Sequence, residues 1–252
     1  MKEVTTIYWS SSLRNPSPPE QWVLKDPEPV INYFLKNNIS EDKDSIFGCP
    51  AARGFFKNLF VFRSNIDDTC VWPDGYLKEI VNNKIGPLDS FGNTIEISQV
   101  RKSAIDGYID LVYNANFVMF ADKPLTIRIS SPSYPPSYPS DGAMFTSGEF
   151  DIGRWYRPGL LNWFVPLNST TFKINKDDGL FYAQALTTNK IVFQKFMMTN
   201  EIRELAQSFR SIKQDGLTLE KRYELAEGTK RQELILAEIK KNLITNPSDH
   251  SK

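Results

Sequence analysis

Glu149 and Asp151 stand two residues apart around Phe150. On a strand that spacing projects both carboxylates from one face. Close carboxylates drive their pKa values apart, so that one serves as acid and the other as base, the arrangement of glycoside hydrolysis. Arg154, Trp155 and Tyr156 follow directly, and Trp163 lies a little further along. A guanidinium and three aromatic rings supply a surface that could bind and stack on a sugar-like ligand. The competing reading places Glu149 and Asp151 on a solvent face beside a turn, and it is the one the sequence favours.

A single count removes most other catalytic designs. The chain has one histidine, His250, set between Asp249 and Ser251 in a polar tail. A Ser-His-Asp or Cys-His relay needs an imidazole within the fold. The two-His-one-carboxylate iron site and the His-rich zinc sites need the same. Two cysteines, Cys49 and Cys70, are too few for a disulfide scaffold or a four-cysteine zinc site and read as small core residues. Asp177-Asp178-Gly179 lacks the EF-hand pattern and reads as a hairpin turn. Neither GxGxxG nor GxxxxGK[ST] occurs. No metal and no cofactor is expected.

The charge balance is even, with 30 basic and 30 acidic residues. A nucleic-acid binder normally carries a basic excess that displaces counterions from phosphates, so nucleic acid is not an expected partner. Residues 1–12 hold no apolar run of signal-peptide length, and no stretch approaches the ~20 apolar residues of a membrane span. These features lead to the expectation of a soluble, cytoplasmic protein with no membrane contact.

The elements that must position these side chains are mostly strands. Aromatic residues are 13% of the chain and gather in β-branched stretches, which favours a β-rich core. Strands are predicted at 4–9, 22–24, 59–63, 66–72 as the hairpin partner of 59–63, and 94–100. Two or three more fall within 108–130, with turns at Asn114-Ala115-Asn116 and 121–124. The proline–tyrosine–serine tract 130–142 reads as a rigid connection. Beyond it, strands cover 161–165, 171–174, 180–186 and 191–196, the spacing of a sandwich, jelly roll or barrel. Asp26-Pro27 is a helix-start signal, and one helix is predicted near 27–37. One or two helical turns could follow at 50–58.

At Thr199-Asn200 the period changes to that of a helix. Ile202, Leu205, Ala206, Phe209 and Ile212 recur at helical spacing, as do Tyr223 and Ala226, then Ile235, Leu236, Ile239 and Leu243. Thr229 with Gln232 forms a capping-box pattern. The expected organisation is a β-rich domain over 1–198, a helical C-terminal segment over 199–246 packed on it or extending from it, and a disordered tail over 247–252.

The segment Phe172-Lys173-Ile174-Asn175-Lys176-Asp177-Asp178-Gly179-Leu180-Phe181 resembles a cupin-type arrangement of strand, acidic or glycine turn and returning aromatic strand. With Asn162-Trp163-Phe164-Val165-Pro166 it is similar to a family of uncharacterised double-stranded β-helix proteins of bacteria and tailed phages of marine bacteria. The resemblance implies an α+β, mainly β fold: a jelly-roll or cupin-like β-sandwich with a C-terminal helical segment. A cupin metal site needs histidines and a glutamate on these strands, and the histidines are missing, so the implied fold comes without the metal-dependent activity. The expected function is non-enzymatic binding or assembly, through a protein partner or self-association. If the chain is phage-encoded, a virion component or a modulator of a host protein fits, in the virion or the host cytoplasm. The alternative is a small-ligand or carbohydrate-processing protein using Glu149 and Asp151.

Overall fold

The computed structural model describes residues 3–11, 22–36, 49–81, 97–132, 142–156, 159–209, 217–227 and 230–244. In chain order its elements are β1 (Val4–Ser11), β2 (Glu28–Pro29), α1 (Val30–Lys36), α2 (Pro50–Phe56), β3 (Leu59–Arg63), β4 (Asp68–Val71), α3 (Tyr76–Val81) and β5 (Ile97–Lys102). There follow β6 (Tyr108–Ala121), β7 (Thr126–Ser130), β8 (Met144–Phe145), β9 (Gly148–Asp151), β10 (Gly159–Pro166), β11 (Thr171–Ile174), β12 (Gly179–Ala185) and β13 (Lys190–Lys195). Three helices close the described chain: α4 (Asn200–Ser208), α5 (Leu219–Glu227) and α6 (Arg231–Lys241). The protein is mainly β, with antiparallel sheets and C-terminal helices.

Two larger sheets form among the described residues. The first runs β13-β1-β6-β10-β8, with β5 also on β6, and the second runs β2-β3-β12-β7-β9. Strand pairs nest along the chain and alternate between these sheets. The innermost, β7 with β9, is in the second sheet, β6 with β10 in the first and β3 with β12 in the second. The outermost, β1 with β13, returns to the first and is parallel. The other three are antiparallel.

Period-two alternation decides which side chains enter the core. Ile7 and Trp9 of β1 face inward, and Tyr8 between them faces outward. From the second sheet Phe62, Phe181 and Ile127 meet the inward residues of the first in one apolar cluster. Phe62 stacks on Phe181 at 4.7 Å and meets Trp9 edge-on at 5.9 Å. The outward faces are covered by helices. Ile202, Ala206, Ala226, Ile235 and Ile239 of α4–α6 pack on Tyr8, Val118 and Phe120 of the first sheet. Val30, Phe34 and Phe56 of α1 and α2 pack on Leu59, Val61 and Tyr182 of the second.

Two expected connections are corrected. No turn interrupts β6 at Asn114-Ala115-Asn116: the strand runs through, and Tyr113 and Phe117, four residues apart, both point into the core. What changes there is the partner, from β5 on residues 109–113 to β1 on residues 117–121. The expected hairpins are also replaced. β3 pairs with β12 and β4 with β11, so neither β3–β4 nor β11–β12 is a hairpin. Instead two strands run side by side and bend together. At the bend Ser64 and Asp178 link by Ser64 N–H to the Asp178 carbonyl at 2.9 Å, and the Asp177 N–H returns to the Ser64 carbonyl. Asp177 takes a left-handed φ of 75°, which aspartate tolerates better than most residues; Lys25 and Arg63 pair with its carboxylate.

Local signals are also revised. Asp26 does not cap a helix: its carboxylate pairs with Lys195, Glu28–Pro29 adds to the sheet, and α1 starts at Val30. Gln232 does not stand three residues past the cap of α6: the cap is Lys230, at φ 53° and with no side-chain cap hydrogen bond, and the Gln232 amide donates to the Arg154 carbonyl at 2.9 Å. Thr199, by contrast, caps α4 by accepting the Ile202 N–H. The polyproline tract between 133 and 141, Thr229 and His250 lie outside the described residues.

The two cysteines divide. Cys70 is a core residue as expected, while Cys49 is exposed at the start of α2. The backbone N–H groups of Ala52 and Ala51 hold the Cys49 thiol below its ordinary range. Burial, with Asp68 nearby, pushes Cys70 up to about 12. Thiolate is the reactive form. In the native protein at pH 8, Cys49 should therefore react with a disulfide reagent roughly a hundredfold or more faster than Cys70. Intact mass before and after denaturation checks this: one adduct native and two unfolded is expected, and two native adducts at equal rates would refute it.

Candidate functional site

The nominated residues sit where β9 leaves the second sheet and the chain crosses to β10. Two corners interlock here. The Ala121 N–H donates to the Ile152 carbonyl, and the Ile152 N–H to the Leu125 carbonyl. Asp151 ties them together: its Oδ1 accepts the N–H groups of Leu125 at 3.0 Å, Gly153 at 2.8 Å and Arg154 at 3.1 Å. A carboxylate receiving three backbone donors satisfies groups that the turn cannot pair by itself. Gly153 is the only residue type the corner accepts, since a Cβ there would lie 2.0 Å from the Lys123 carbonyl oxygen.

The next residues attach the C-terminal helices. Arg154 donates from Nε to Glu227 at 2.5 Å and from Nη1 to Glu220 at 2.9 Å, and lies 4.9 Å from the centroid of the Tyr223 ring. The hydrogen bond to Glu227 raises its pKa most, burial opposes it, and the hydrogen bond to Glu220 adds to the rise. The Tyr223 hydroxyl accepts the Asp151 N–H at 2.7 Å. Trp155 meets the Tyr223 ring edge-on at 5.8 Å, and Arg222 lies over Trp155. Tyr156 is 1% exposed, meets the Phe120 ring at 4.6 Å with a 40° tilt, and donates its hydroxyl to the Ala121 carbonyl. Burial pushes its phenol pKa up.

Asp151, Arg154 and Trp155 therefore converge, but on α5 and α6 rather than on an open surface, while Tyr156 is buried against β6 and against Phe209 at the end of α4. Glu149 and Trp163 do not join them. Glu149 is exposed and pairs with Arg128 directly across the β7–β9 ladder at 2.7 Å. Trp163 is fully buried in the inner face of the first sheet, between Phe145 and Phe172. Four residues join this corner that the sequence does not tie to it: Tyr223, Glu220, Glu227 and Gln232, the last read there as half of a capping box. Tyr223 was legible only as one more position of a helical apolar stripe, and the acids as part of a solvated face. Among the described residues no group of three or more His, Cys, Asp and Glu is placed to hold a metal ion. No helix among them is long and apolar enough to cross a membrane. No family model, curated protein or solved structure matches the chain significantly.

Proposed function

We propose that this chain is a non-enzymatic binding or assembly protein built on a jelly-roll scaffold, and that it engages protein through the outer surface of its C-terminal helices. The observation that carries this reading is where the apolar surface lies. Both outward sheet faces are covered by helices. Of nine exposed large hydrophobic side chains among the described residues, three belong to α5 and α6: Leu219, Leu225 and Leu234, at 40%, 50% and 58% exposure. An apolar side chain left in water on a helix that already buries its other face gains stability when a partner covers it. The nested strand pairs support the jelly-roll scaffold, and the parallel outermost pair and the separate β4–β11 ribbon depart from it. A virion component or a modulator of a host protein is the finer reading that the family resemblance adds.

The first partner to test is a second copy. Leu225→Glu with Leu234→Glu places charge on the outer surface and touches no core residue. Light scattering of the full chain should show an oligomer that the double variant converts to monomer, with a thermal midpoint within about 2 °C of wild type. A wild-type chain that is monomeric at tens of micromolar, or an oligomer indifferent to both charges, overturns the reading as self-association. The alternative, carbohydrate processing by Glu149 and Asp151, has the weaker support because Asp151 is occupied by backbone donors and Glu149 by Arg128.

A further inference from the structure

β13 ends the first sheet, with β1 on one side and no other strand of the described residues beside it. Along a paired strand, alternate residues turn both backbone groups toward the neighbour. The N–H groups of Lys190 and Phe196 go to the carbonyls of Glu3 and Trp9 at 2.9 and 3.2 Å, so the even-numbered residues face β1. Ile191, Phe193 and Lys195 turn their backbone groups outward. The Lys195 carbonyl accepts the Ile244 N–H at 2.9 Å. Among the described residues nothing pairs with the outward N–H and C=O groups of Ile191 and Phe193. An open edge of this kind is a template for another strand.

The chain itself begins to supply one. Phe196 faces Leu243 in an antiparallel bridge, and the Met197 N–H donates to the Asn242 carbonyl at 2.9 Å. Past Ile244 the sequence reads Thr245-Asn246-Pro247-Ser248-Asp249. Carried on in the same register, Asn246 stands opposite Phe193, Pro247 opposite Val192, Ser248 opposite Ile191 and Asp249 opposite Lys190.

The residue types fit that register in three ways. Beyond Ile244, the N–H groups that meet β13 belong to the even-numbered residues. Pro247, which has no N–H, falls where the backbone faces away from the sheet, the position an edge strand allows proline. The residue before a proline is biased to extended backbone, as Asn246 needs to be. Asp249 falls opposite Lys190, whose side chain is exposed, and opposite charges facing across a ladder stabilise it.

We propose that the outer edge of β13 is the docking site of this chain's own residues 245–249, added antiparallel as a further strand of the first sheet. The N–H groups of Asn246 and Ser248 meet the carbonyls of Phe193 and Ile191, and the N–H groups of Phe193 and Ile191 return the bonds. The docked segment keeps foreign strands off this edge, whatever the C-terminal helices contact.

Amide hydrogen exchange of the full chain, followed by NMR beside a chain ending at Ile244, tests the docking. The Ile191 and Phe193 N–H groups should exchange at least about tenfold more slowly in the full chain. Those of Val192 and Gln194, which face β1, should keep their rates. Equal rates for Ile191 and Phe193 in the two chains overturn the proposal. A change common to all four amides also overturns it, because it reports loosening of the whole sheet. Protection that rises with protein concentration overturns it in favour of a second copy on the edge. The register has its own test in the phase of proline. Thr245→Pro removes an N–H that faces away and should keep the protection of Ile191. Ser248→Pro removes the one that meets the Ile191 carbonyl and should abolish it. The same result from both variants refutes the register.

Discussion

Gly153→Ala lowers the thermal midpoint by about 6–12 °C, equivalent to about 3 kcal/mol, while Gly148→Ala five residues earlier leaves it within about 2 °C. The contrast isolates close approach from every other property of glycine. A Cβ on Gly153 would lie 2.0 Å from the Lys123 carbonyl oxygen, 2.5 Å from its carbon and 2.8 Å from Pro124 Cα. These are backbone atoms in a corner fixed by the Ala121–Ile152 and Ile152–Leu125 hydrogen bonds, so no side chain can swing away. Relief requires the corners to part, which stretches the bonds that Asp151 makes to Leu125 and Gly153. At Gly148 nothing lies within 4 Å of the added carbon, and alanine there merely narrows the unfolded ensemble. Equal midpoints for the two variants, measured by calorimetry, would show that the corner yields and that its geometry is not what holds β9 and β10 in place.

The same corner shows what was legible in the sequence and what was not. Alternation and helical stripes depend on neighbours along the chain, and they found β1, β3, β13 and the helices α4 to α6. They also carried enough to exclude a turn at Asn114-Ala115-Asn116, because Tyr113 and Phe117 keep the same parity. Asparagine composition outweighed parity there, although a strand that changes partners tolerates asparagine without turning. Pairing partners are a different matter. β3 and β4 are close in sequence, as are β11 and β12, and proximity suggests hairpins. The strands instead pair across more than a hundred residues, β3 with β12 and β4 with β11, because the core side chains of two sheets must be served by one bent ribbon. No local pattern encodes that choice.

The candidate site failed to be legible for a related reason. Residue types with chemical potential cluster wherever the backbone needs strong partners, and Asp, Arg, Trp and Tyr are what a tight corner and a helix-docking surface use. Glu149 and Asp151 look equivalent in sequence. In the fold one makes an exposed cross-strand pair with Arg128, and the other receives three main-chain donors. Nothing two residues away distinguishes them; the distinction comes from Lys123–Leu125 of the preceding corner and from Tyr223 in the C-terminal helices.

Substitutions at Asp151 turn that distinction into a measurement. Asp151→Ala leaves the N–H groups of Leu125, Gly153 and Arg154 without their acceptor, in a half-buried corner where water replaces only part of what is lost. The expected cost is about 3 kcal/mol. All three donors converge on Oδ1, and asparagine offers the same oxygen. Asp151→Asn therefore keeps the geometry and loses only the charge-assisted part of each bond, about 1 kcal/mol in total. Glu149→Gln removes an exposed ion pair and costs less than about 0.5 kcal/mol. An acid–base role for the pair orders the variants differently: Asn and Ala at 151 would be equally inactive on a glycoside, and Glu149→Gln would be as inactive as either, with stability untouched in all three. Equilibrium denaturation of the four proteins separates the alternatives without knowledge of a substrate. If Asp151→Ala is as stable as wild type, the carboxylate is free for chemistry and the paired-carboxylate reading returns. A graded loss, large for alanine and small for asparagine, assigns Asp151 to the corner that holds the helices on the sheet.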